Sequence, residues 1–588
     1  MTDRGTLHVR WLGRVTYSDG DALQRALHAR SGDDYLLLLE HPHVYTLGTR
    51  ADPTHVLVPP ATVGADLVHV DRGGDVTYHG PGQLVGYPIV SLPEWRDGMR
   101  DVVAYVRALE AVLVAALGDL GVDAAPQPGL TGVWVGDEKI AAIGVKVAGG
   151  RTRHGFAVNV DPDLSMFDHI VPCGIRGKGV TSITRVLGAT GSDVPTMSTV
   201  VDTIVARFAA AFGHPTVDRQ SISGSRHVEP PLGSFNVPNS RSGSGSGSGR
   251  GSSGSGPTEQ PVRLLGRLAA AGVDVDADAA PLQRPDWMRV KADLGTGYRE
   301  TRALMRTLDL HTVCEEAGCP NIYECWADGT ATFMILGERC TRACGFCLVD
   351  TRHPLAVDAD EPARVADAVA ALGLEHAVIT SVARDDLDDG GAEAFAATIR
   401  AIRARTPRTR VEVLIPDCKG DADALGVIFA ARPDVLNHNL ETVARLQRAA
   451  RPSASYARSH ALLGRAKDAG LTTKSGLIVG MGEEPGEVRA AIGDLRAVGV
   501  DILTVGQYLR PSARHLPVVR WWTPDELREI GAHAERLGFA HVEAGPLVRS
   551  SYHAKRAVAA ADSGSRHVRP PLRWSNVPNS RGAVPTSA

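Results

Sequence analysis

Fifteen consecutive residues, Ser242 to Gly256, hold only glycine, serine and one arginine. Such a run has no apolar surface to bury and behaves as a flexible coil. It separates the 588-residue chain into two unlike halves, expected to fold as separate units. We expect disorder from residue 217 to 281, a roughly 60-residue tether with an r.m.s. reach of about 45 Å. The expected folded units are 1–216 and 282–560, followed by a disordered tail, 561–588.

An 18-residue motif flanks the second unit, as GSRHVEPPLGSFNVPNSR from Gly224 and GSRHVRPPLRWSNVPNSR from Gly564, identical at 14 positions. Two copies so far apart cannot stack as a solenoid. Their Pro, Ser, Arg and Asn content reads as a repeated unstructured segment rather than a docking peptide. The chain carries 63 basic and 67 acidic residues with no run of like charge, which argues against nucleic-acid or anionic-membrane partners. Its start, MTDRGTLHVRWLG, has no apolar signal region, and the apolar stretch Val102 to Leu117 is broken by Arg107 and Glu110. A cytoplasmic protein is expected, without a membrane partner.

The second unit alternates strand-like runs (332–336, 376–382, 410–416, 435–441, 475–480, 502–508, 541–547) with helical stretches such as 363–372, 392–402 and 524–537. Repeated β-then-α order predicts a parallel sheet closed, or partly closed, into a (β/α) barrel with working residues in the loops after the strands. Six of the chain's eight cysteines fall in 34 residues of this unit. Cys340, Cys344 and Cys347 form a C-x3-C-x2-C loop after the first strand, and three thiolates so placed hold a cubic iron–sulfur cluster with one iron left open. A structural zinc site would need a fourth ligand, and no Cys or His stands at finger spacing to provide it.

The loop RCTRACGFC, with Phe346 before its last cysteine, resembles the signature of radical S-adenosylmethionine enzymes. The upstream CEEAGCPNIYEC is C-x4-C-x5-C. With RPDWMRVK (284–291), TSVARDDLDDGGAEAF (380–395), NHNLETV (437–443), KSGLIVGMGE (474–483), TVGQYLRPS (504–512) and RSSYHA (549–554), it is similar to lipoyl synthase over residues 285–555. The resemblance implies two [4Fe-4S] clusters and S-adenosyl-L-methionine as cofactors. Cys340, Cys344 and Cys347 would hold the radical-generating cluster. Cys314, Cys319, Cys325 and a serine, Ser550 rather than Ser551, would hold an auxiliary cluster that gives sulfide to carbons 6 and 8 of a protein-bound octanoyl chain. A serine alkoxide leaves iron more readily than a thiolate, which suits a cluster that has to come apart. Unactivated C–H bonds offer a base no acidity, so a cofactor-borne radical is the chemistry required. Gly390 and Gly391 would let backbone approach the methionine end of the cofactor, an ordinary turn being the alternative. Cys418 matches no ligand motif and reads as a structural thiol.

The first unit mixes strand-like runs (35–39, 133–135, 140–147, 155–160) with amphipathic helices (102–120, 198–212), an α/β domain in which the close spacing of strands predicts antiparallel pairing. Cys173 sits in VPCGI, where Pro172 and Gly174 favour an exposed turn. Lys139, in EKIAAIGVKV, is a candidate to stabilise its thiolate. RGGDVTYHGPGQLVGYPIV (72–90), GVWVGDEKIAAIGVKV (132–147), HGFAVNV (154–160) and VPCGIRGKGVTS (171–182) together resemble lipoyl(octanoyl)transferase, related in fold to biotin and lipoate protein ligases. This implies a Cys173 thioester with Lys139 as its partner, Lys146 being the alternative lysine. Arg72, Gly73, Gly74, His79, Gly144, His154 and Gly155 would shape the substrate pocket, although His79 also fits a hydrogen-bonded loop histidine. An ATP-dependent lipoate ligase would adenylate its acid and has no need of Cys173.

The implied activity is bifunctional lipoate assembly, an acyltransferase followed by a sulfur-inserting radical enzyme. Its partners would be octanoyl acyl carrier protein, the lipoyl domains of 2-oxoacid dehydrogenase E2 subunits and glycine cleavage H protein, and an electron donor protein. A scaffold with one inactive half and a zinc-binding structural module are the competing readings.

Overall fold

The computed structural model describes residues 4–93, 100–175, 177–222, 259–275, 282–289, 295–312, 315, 319, 321–323, 332–552, 554 and 557. Both copies of the repeated motif lie outside them, as do Cys314 and Cys325.

In the first half the strands are β1 (Thr6–Arg14), β2 (Asp34–Glu40), β3 (Val44–Leu47), β4 (Asp66–His69), β5 (Val76–His79), β6 (Gln83–Ile89), β7 (Ala125–Gln127), β8 (Leu130–Val135), β9 (Glu138–Ala148), β10 (Arg151–Asn159), β11 (Gly179–Val180) and β12 (Thr216–Ser221). The main sheet runs β12-β1-β2-β6-β10-β9-β8-β7, with β11 added alongside β9, and β4-β3-β5 form a small second sheet. The expected antiparallel pairing holds for β2, β6, β10, β9 and β8. It fails at the edge, where β12, β1 and β2 are parallel. The helix Tyr17–Arg30 is the reason: it returns the chain from the end of β1 to the start of β2. Helices Val102–Asp119 and Met197–Phe212 cover the other face, burying Leu109, Leu113, Ile204 and Phe208 in one core with β1, β2 and β10. Asp101 caps the first of these, its carboxylate accepting the Ala104 N–H at 2.7 Å.

In the second half the strands are β13 (His311–Thr312), β14 (Thr332–Ile335), β15 (His376–Ser381), β16 (Arg410–Leu414), β17 (Val435–Asn437), β18 (Thr472–Val479), β19 (Ile502–Gln507) and β20 (His541–Gly545). They pair in sequence order, parallel from β14 to β20, with β13 antiparallel on the edge. Among the described residues β14 and β20 do not pair, so the barrel is partial, as the sequence predicts. The helix Pro524–Leu537 shows how local rules set its bounds. Thr523 and Glu526 form a capping box, Pro524 takes the first helical position, and Gly538 ends the helix at φ 88°.

The stretch expected as pure coil, 217–281, contains more order than its composition suggests. β12 occupies Thr216–Ser221, satisfied by the exposed edge of β1. The helix Glu259–Ala270 seats Leu268 in the core of the second half, together with Ala271 and Val273 just beyond it.

The two halves are also in contact. Helix Tyr17–Arg30 lies along helix Tyr456–Asp468, and Leu23, Ala26 and Leu27 share one hydrophobic cluster with Ala457, Ala461 and Val498. A methyl group on Gly464 would fall 2.7 Å from Ala26 Cβ, so the helices approach as closely as glycine allows. Arg10 donates two hydrogen bonds to Asp494, at 2.6 and 2.8 Å, where both side chains are buried. Tyr456 donates to the same carboxylate at 2.8 Å. Buried ions need such pairing, because each leaves its hydration behind.

Candidate active sites

In the first half, β9 carries Lys139 and the turn Pro172–Gly174 carries Cys173. The parallel addition of β11, which sets Val180 opposite Lys139, folds this turn back over the strand. Lys139 Nζ lies 3.3 Å from Cys173 Sγ. The Lys139 side chain is buried, and its Nζ also sits 4.7 Å from the centre of the Trp134 ring. Cys173 is half-buried and left-handed, at φ 56°, a conformation that costs a non-glycine residue energy and that clusters at functional turns. Lys146 stands further along β9, opposite Arg153. Of the two lysines, Lys139 is the one the fold brings to the thiol.

The pocket residues named from the sequence are each held by buried hydrogen bonds or close backbone approach. Arg72 is buried and donates to Asp75 O (2.8 Å), Gly73 O (3.1 Å), and Thr46 O and Oγ1 (both 2.7 Å). Gly73 N–H donates to Val145 O at 3.0 Å, tying the RGG turn to β9. Gly144 leaves room for that turn, since a Cβ there would lie 3.0 Å from Arg72 Cδ. Gly74 has φ 96°. Gly155 lies against β6, where a Cβ would come within 2.3 Å of Gly86 O. His79 ends β5 and donates from Nδ1 to Gln83 Oε1 at 2.7 Å. Burial first, then the neighbouring His41, pushes its pKa down to about 3, so it acts as a neutral, oriented ring. His154 is buried, and its Nε2 donates to Asp71 Oδ1 at 2.8 Å. Sequence reasoning passed over Asp71, Gln83 and Thr46. Each is an ordinary polar residue until the fold places it beside a buried ring or guanidinium.

In the second half the loop from Cys340 to Cys347 follows β14. Cys340 Sγ accepts backbone N–H groups from Arg342 (3.4 Å) and Ala383 (3.3 Å), an arrangement suited to an anionic sulfur. Gly345 N donates to Ala450 O at 2.8 Å, and His515 Nε2 donates to Cys347 O at 2.9 Å. Burial pushes the Cys344 and Cys347 thiols up to about 11 and about 12. Thiolates in this shell need a cation to hold them, and bound iron is such a cation, so the loop fits a metal cluster. Arg342, between the cysteines, holds both oxygens of Asp385 at 2.7 Å.

Gly390 and Gly391, at φ 62° and 91°, form the turn into helix Ala392–Arg405. A Cβ on Gly391 would meet Leu336 Cδ1 at 2.3 Å, and one on Gly390 would press on Cys418 at 3.3 Å. The turn itself therefore demands both glycines, and the buried Cys418 is the wall behind it. At the end of β17, Asn439 donates to Ser550 Oγ (2.6 Å) and Glu441 Oε1 (3.1 Å). Its Oδ1 is buried without a hydrogen-bond partner among the described residues. Burial first raises the Glu441 carboxyl above its ordinary value. This pair lies inside the NHNLETV motif, but only the fold reveals that both side chains face the strand ends. Of the upstream trio, Cys319 is described. Burial raises its thiol, opposed by the Asn321 N–H and the Arg549 guanidinium. Asn321 Nδ2 donates to Leu547 O at 2.7 Å, so the segment leading to Ser550 is fastened two residues from Cys319.

A partial barrel with a three-cysteine loop at its strand ends, joined to an α/β domain with a lysine–cysteine pair, defines a radical S-adenosylmethionine enzyme fused to a domain of lipoate-ligase type. Comparison with known families agrees on both halves. Residues 17–209 match the lipoyl protein ligase A/B catalytic domain, 273–319 the N-terminal domain of lipoyl synthase, and 334–495 the radical SAM superfamily. Lipoyl synthase of Mycobacterium avium is 56% identical over 281 residues, 48% of this chain and 92% of that protein. Lipoyl synthase of Rubrobacter xylanophilus is 57% identical over 284 residues, 48% of this chain and 88% of that protein. A crystal structure of lipoate-protein ligase A bound with ATP is 18% identical, covering 37% of this chain and 90% of that one, with a TM-score of 0.30. Through its C-terminal half the chain belongs to the lipoyl synthase family, and that family implies S-adenosylmethionine and iron–sulfur clusters. No described helix is long and apolar enough to cross a membrane.

Proposed function

We propose that the chain carries out two consecutive steps of lipoate assembly, moving octanoate from acyl carrier protein to a lysine of a lipoyl domain and then inserting sulfur at carbons 6 and 8. The observation that carries the first step is the 3.3 Å approach of Lys139 Nζ to Cys173 Sγ. Lys139 takes the thiol proton and the thiolate attacks the carrier's thioester. As the octanoyl bond to the carrier breaks and the bond to Cys173 forms, Lys139 returns the proton to the departing thiolate. In the second half-reaction a neutral lysine amine of the lipoyl domain attacks the Cys173 thioester. Its proton passes through Lys139 to the released sulfur. No nucleotide is needed, because the acyl group arrives and stays activated. Arg72 with Gly73, Gly74, Gly144 and Gly155 shapes the acyl site, and His79 and His154 wall it as fixed, hydrogen-bonded rings.

In the barrel, Cys340, Cys344 and Cys347 would hold the radical-generating cluster, and Cys314, Cys319, Cys325 and Ser550 an auxiliary one. When bound, these groups with S-adenosylmethionine supply the radical that removes hydrogen from unactivated carbon, and the sulfur that replaces it. The protein's own part is positional. The Arg342 and Ala383 N–H groups orient Cys340, and Asn439 Oδ1 with Glu441 offers buried acceptors to hydroxyl donors of the cofactor. Asn439 also donates to Ser550, a proposed ligand of the auxiliary cluster.

The deciding experiment incubates anaerobically reconstituted protein with octanoyl carrier protein, a lipoyl domain in its unmodified form, S-adenosylmethionine and reductant. The intact mass of the lipoyl domain should gain an octanoyl group and then two sulfurs. Octanoylation that proceeds unchanged in a Cys173→Ala variant would overturn the transferase assignment.

A further inference from the structure

The contact between the halves includes a run of alternating charges that does not stop at the interface. Asp19, on helix Tyr17–Arg30, is 2% exposed, and its oxygens accept from Arg458 Nε (3.2 Å) and an Arg465 terminal nitrogen (3.0 Å). Arg458 extends a second nitrogen toward Asp417 Oδ2 at 3.5 Å. Asp417 is fully buried, and its Oδ1 accepts from Arg342 at 2.6 Å. Arg342 lies between Cys340 and Cys344, donates its backbone N–H to Cys340 Sγ and grips Asp385. The sequence Asp19, Arg458, Asp417, Arg342, Asp385 thus links the first helix of the transferase-type half to the cysteine loop of the other.

We propose that Asp19 is a positioning residue for the loop Cys340–Cys347, acting through Arg458, Asp417 and Arg342, so that docking of the N-terminal half sets the geometry of the metal-binding loop. The physical reason is competition for shared partners. Asp417 has no water to fall back on and divides its charge between Arg342 and Arg458. While Asp19 holds Arg458, Arg342 takes the shorter contact with Asp417. With the Asp19 charge gone, Arg458 closes on Asp417 and loosens the hold on Arg342, whose own backbone orients Cys340. The second buried ion pair of the interface supplies a control. Asp494 meets Arg10, Tyr35 and Tyr456 and, among the described residues, has no such link to the loop. The idea leans on the cluster assignment only for its meaning, since the contacts stand without it.

The test compares full-length Asp19→Asn and Asp494→Asn. One readout is the alkylation rate of Cys340, Cys344 and Cys347 in metal-free protein, followed by peptide mass. The other is iron release to a chelator from reconstituted protein. Asp19→Asn should speed both by about 2- to 30-fold, the range of measured long-range couplings, with Asp494→Asn leaving them unchanged and Asp19→Glu restoring the wild-type rates. Arg458→Gln removes the competitor for Asp417, so it should not speed either rate and should cancel the effect of Asp19→Asn in the double variant; a rise in Arg458→Gln alone decides against the proposal if Asp19→Asn does not fold. Equal effects from Asp19→Asn and Asp494→Asn, no effect from Asp19→Asn, or a double variant as fast as Asp19→Asn alone would overturn the proposal. A chain that takes up no iron would sink the cluster reading instead, while the alkylation rates still report on the charge run.

Discussion

Cys173 concentrates the residue-scale argument. A left-handed backbone is tolerated because Gly174 follows it, also at positive φ (69°), and because the Val171 N–H donates to His55 O at 2.8 Å behind the turn. We expect Cys173→Ala to end octanoyl transfer while sulfur insertion into a pre-octanoylated lipoyl domain continues, read by intact mass. Lys139→Met should slow acyl transfer by about 10²- to 10⁴-fold, the usual worth of a general acid–base; Lys146→Met should leave it near wild type. Similarly, Cys314→Ala should still produce 5′-deoxyadenosine from S-adenosylmethionine but no lipoyl product. The residues proposed for covalent or metal chemistry stand out in the sequence because few side chain types can do it and their spacing is tight. Their supports do not. Asp71 and Gln83 became readable only when the fold set them against His154 and His79.

Elements were legible where periodicity and caps agree. The seven parallel strands of the second half fall within a few residues of their sequence reading, and the helix at Pro524 begins and ends where Thr523 and Gly538 say it should. β12 was missed because it is polar and mostly exposed, and only the open edge of β1 makes it a strand. β16 and β18 carry a second testable feature, the buried pair Glu412 and Lys474 at 2.9 Å, with His376 at 3.4 Å from the same carboxylate. Burial alone would raise Glu412, but Lys474 and His376 outweigh it and bring it from 4.5 to about 2. A depressed acid stabilises the fold above its unfolded value, and that contribution drains away as pH falls from about 4.5 toward 2. Chemical denaturation across that window should show the loss, and Glu412→Gln should flatten it. On the helix pair, Gly464→Ala would gain about 1 kcal/mol of helix propensity, yet about 1–3 kcal/mol of overpacking against Ala26 should win, lowering the melting temperature.

At the scale of the whole molecule, the sequence announced two units and a tether but not their docking. Arg10 and Asp494 are 484 positions apart, and nothing in either neighbourhood marks them as partners. A protease site placed within Ser242–Gly256 tests how much the covalent link contributes. The cut pieces should still co-elute on gel filtration, held by the packed helix pair and the Arg10–Asp494 contact. Separate elution of the wild-type pieces would mean that the interface does not hold alone. The Gly/Ser stretch is thus better understood as a loop than as a leash. Ile222 at one end bonds back to Trp11, the helix from Glu259 at the other end rests on the barrel, and both anchors belong to the same body. Closing a loop on fixed anchors costs only about 0.6 kcal/mol for each doubling of its length. On the proposed function a lipoyl domain would do the travelling between the two sites, and insertions or deletions in the connecting stretch should pass almost unnoticed by the folded protein.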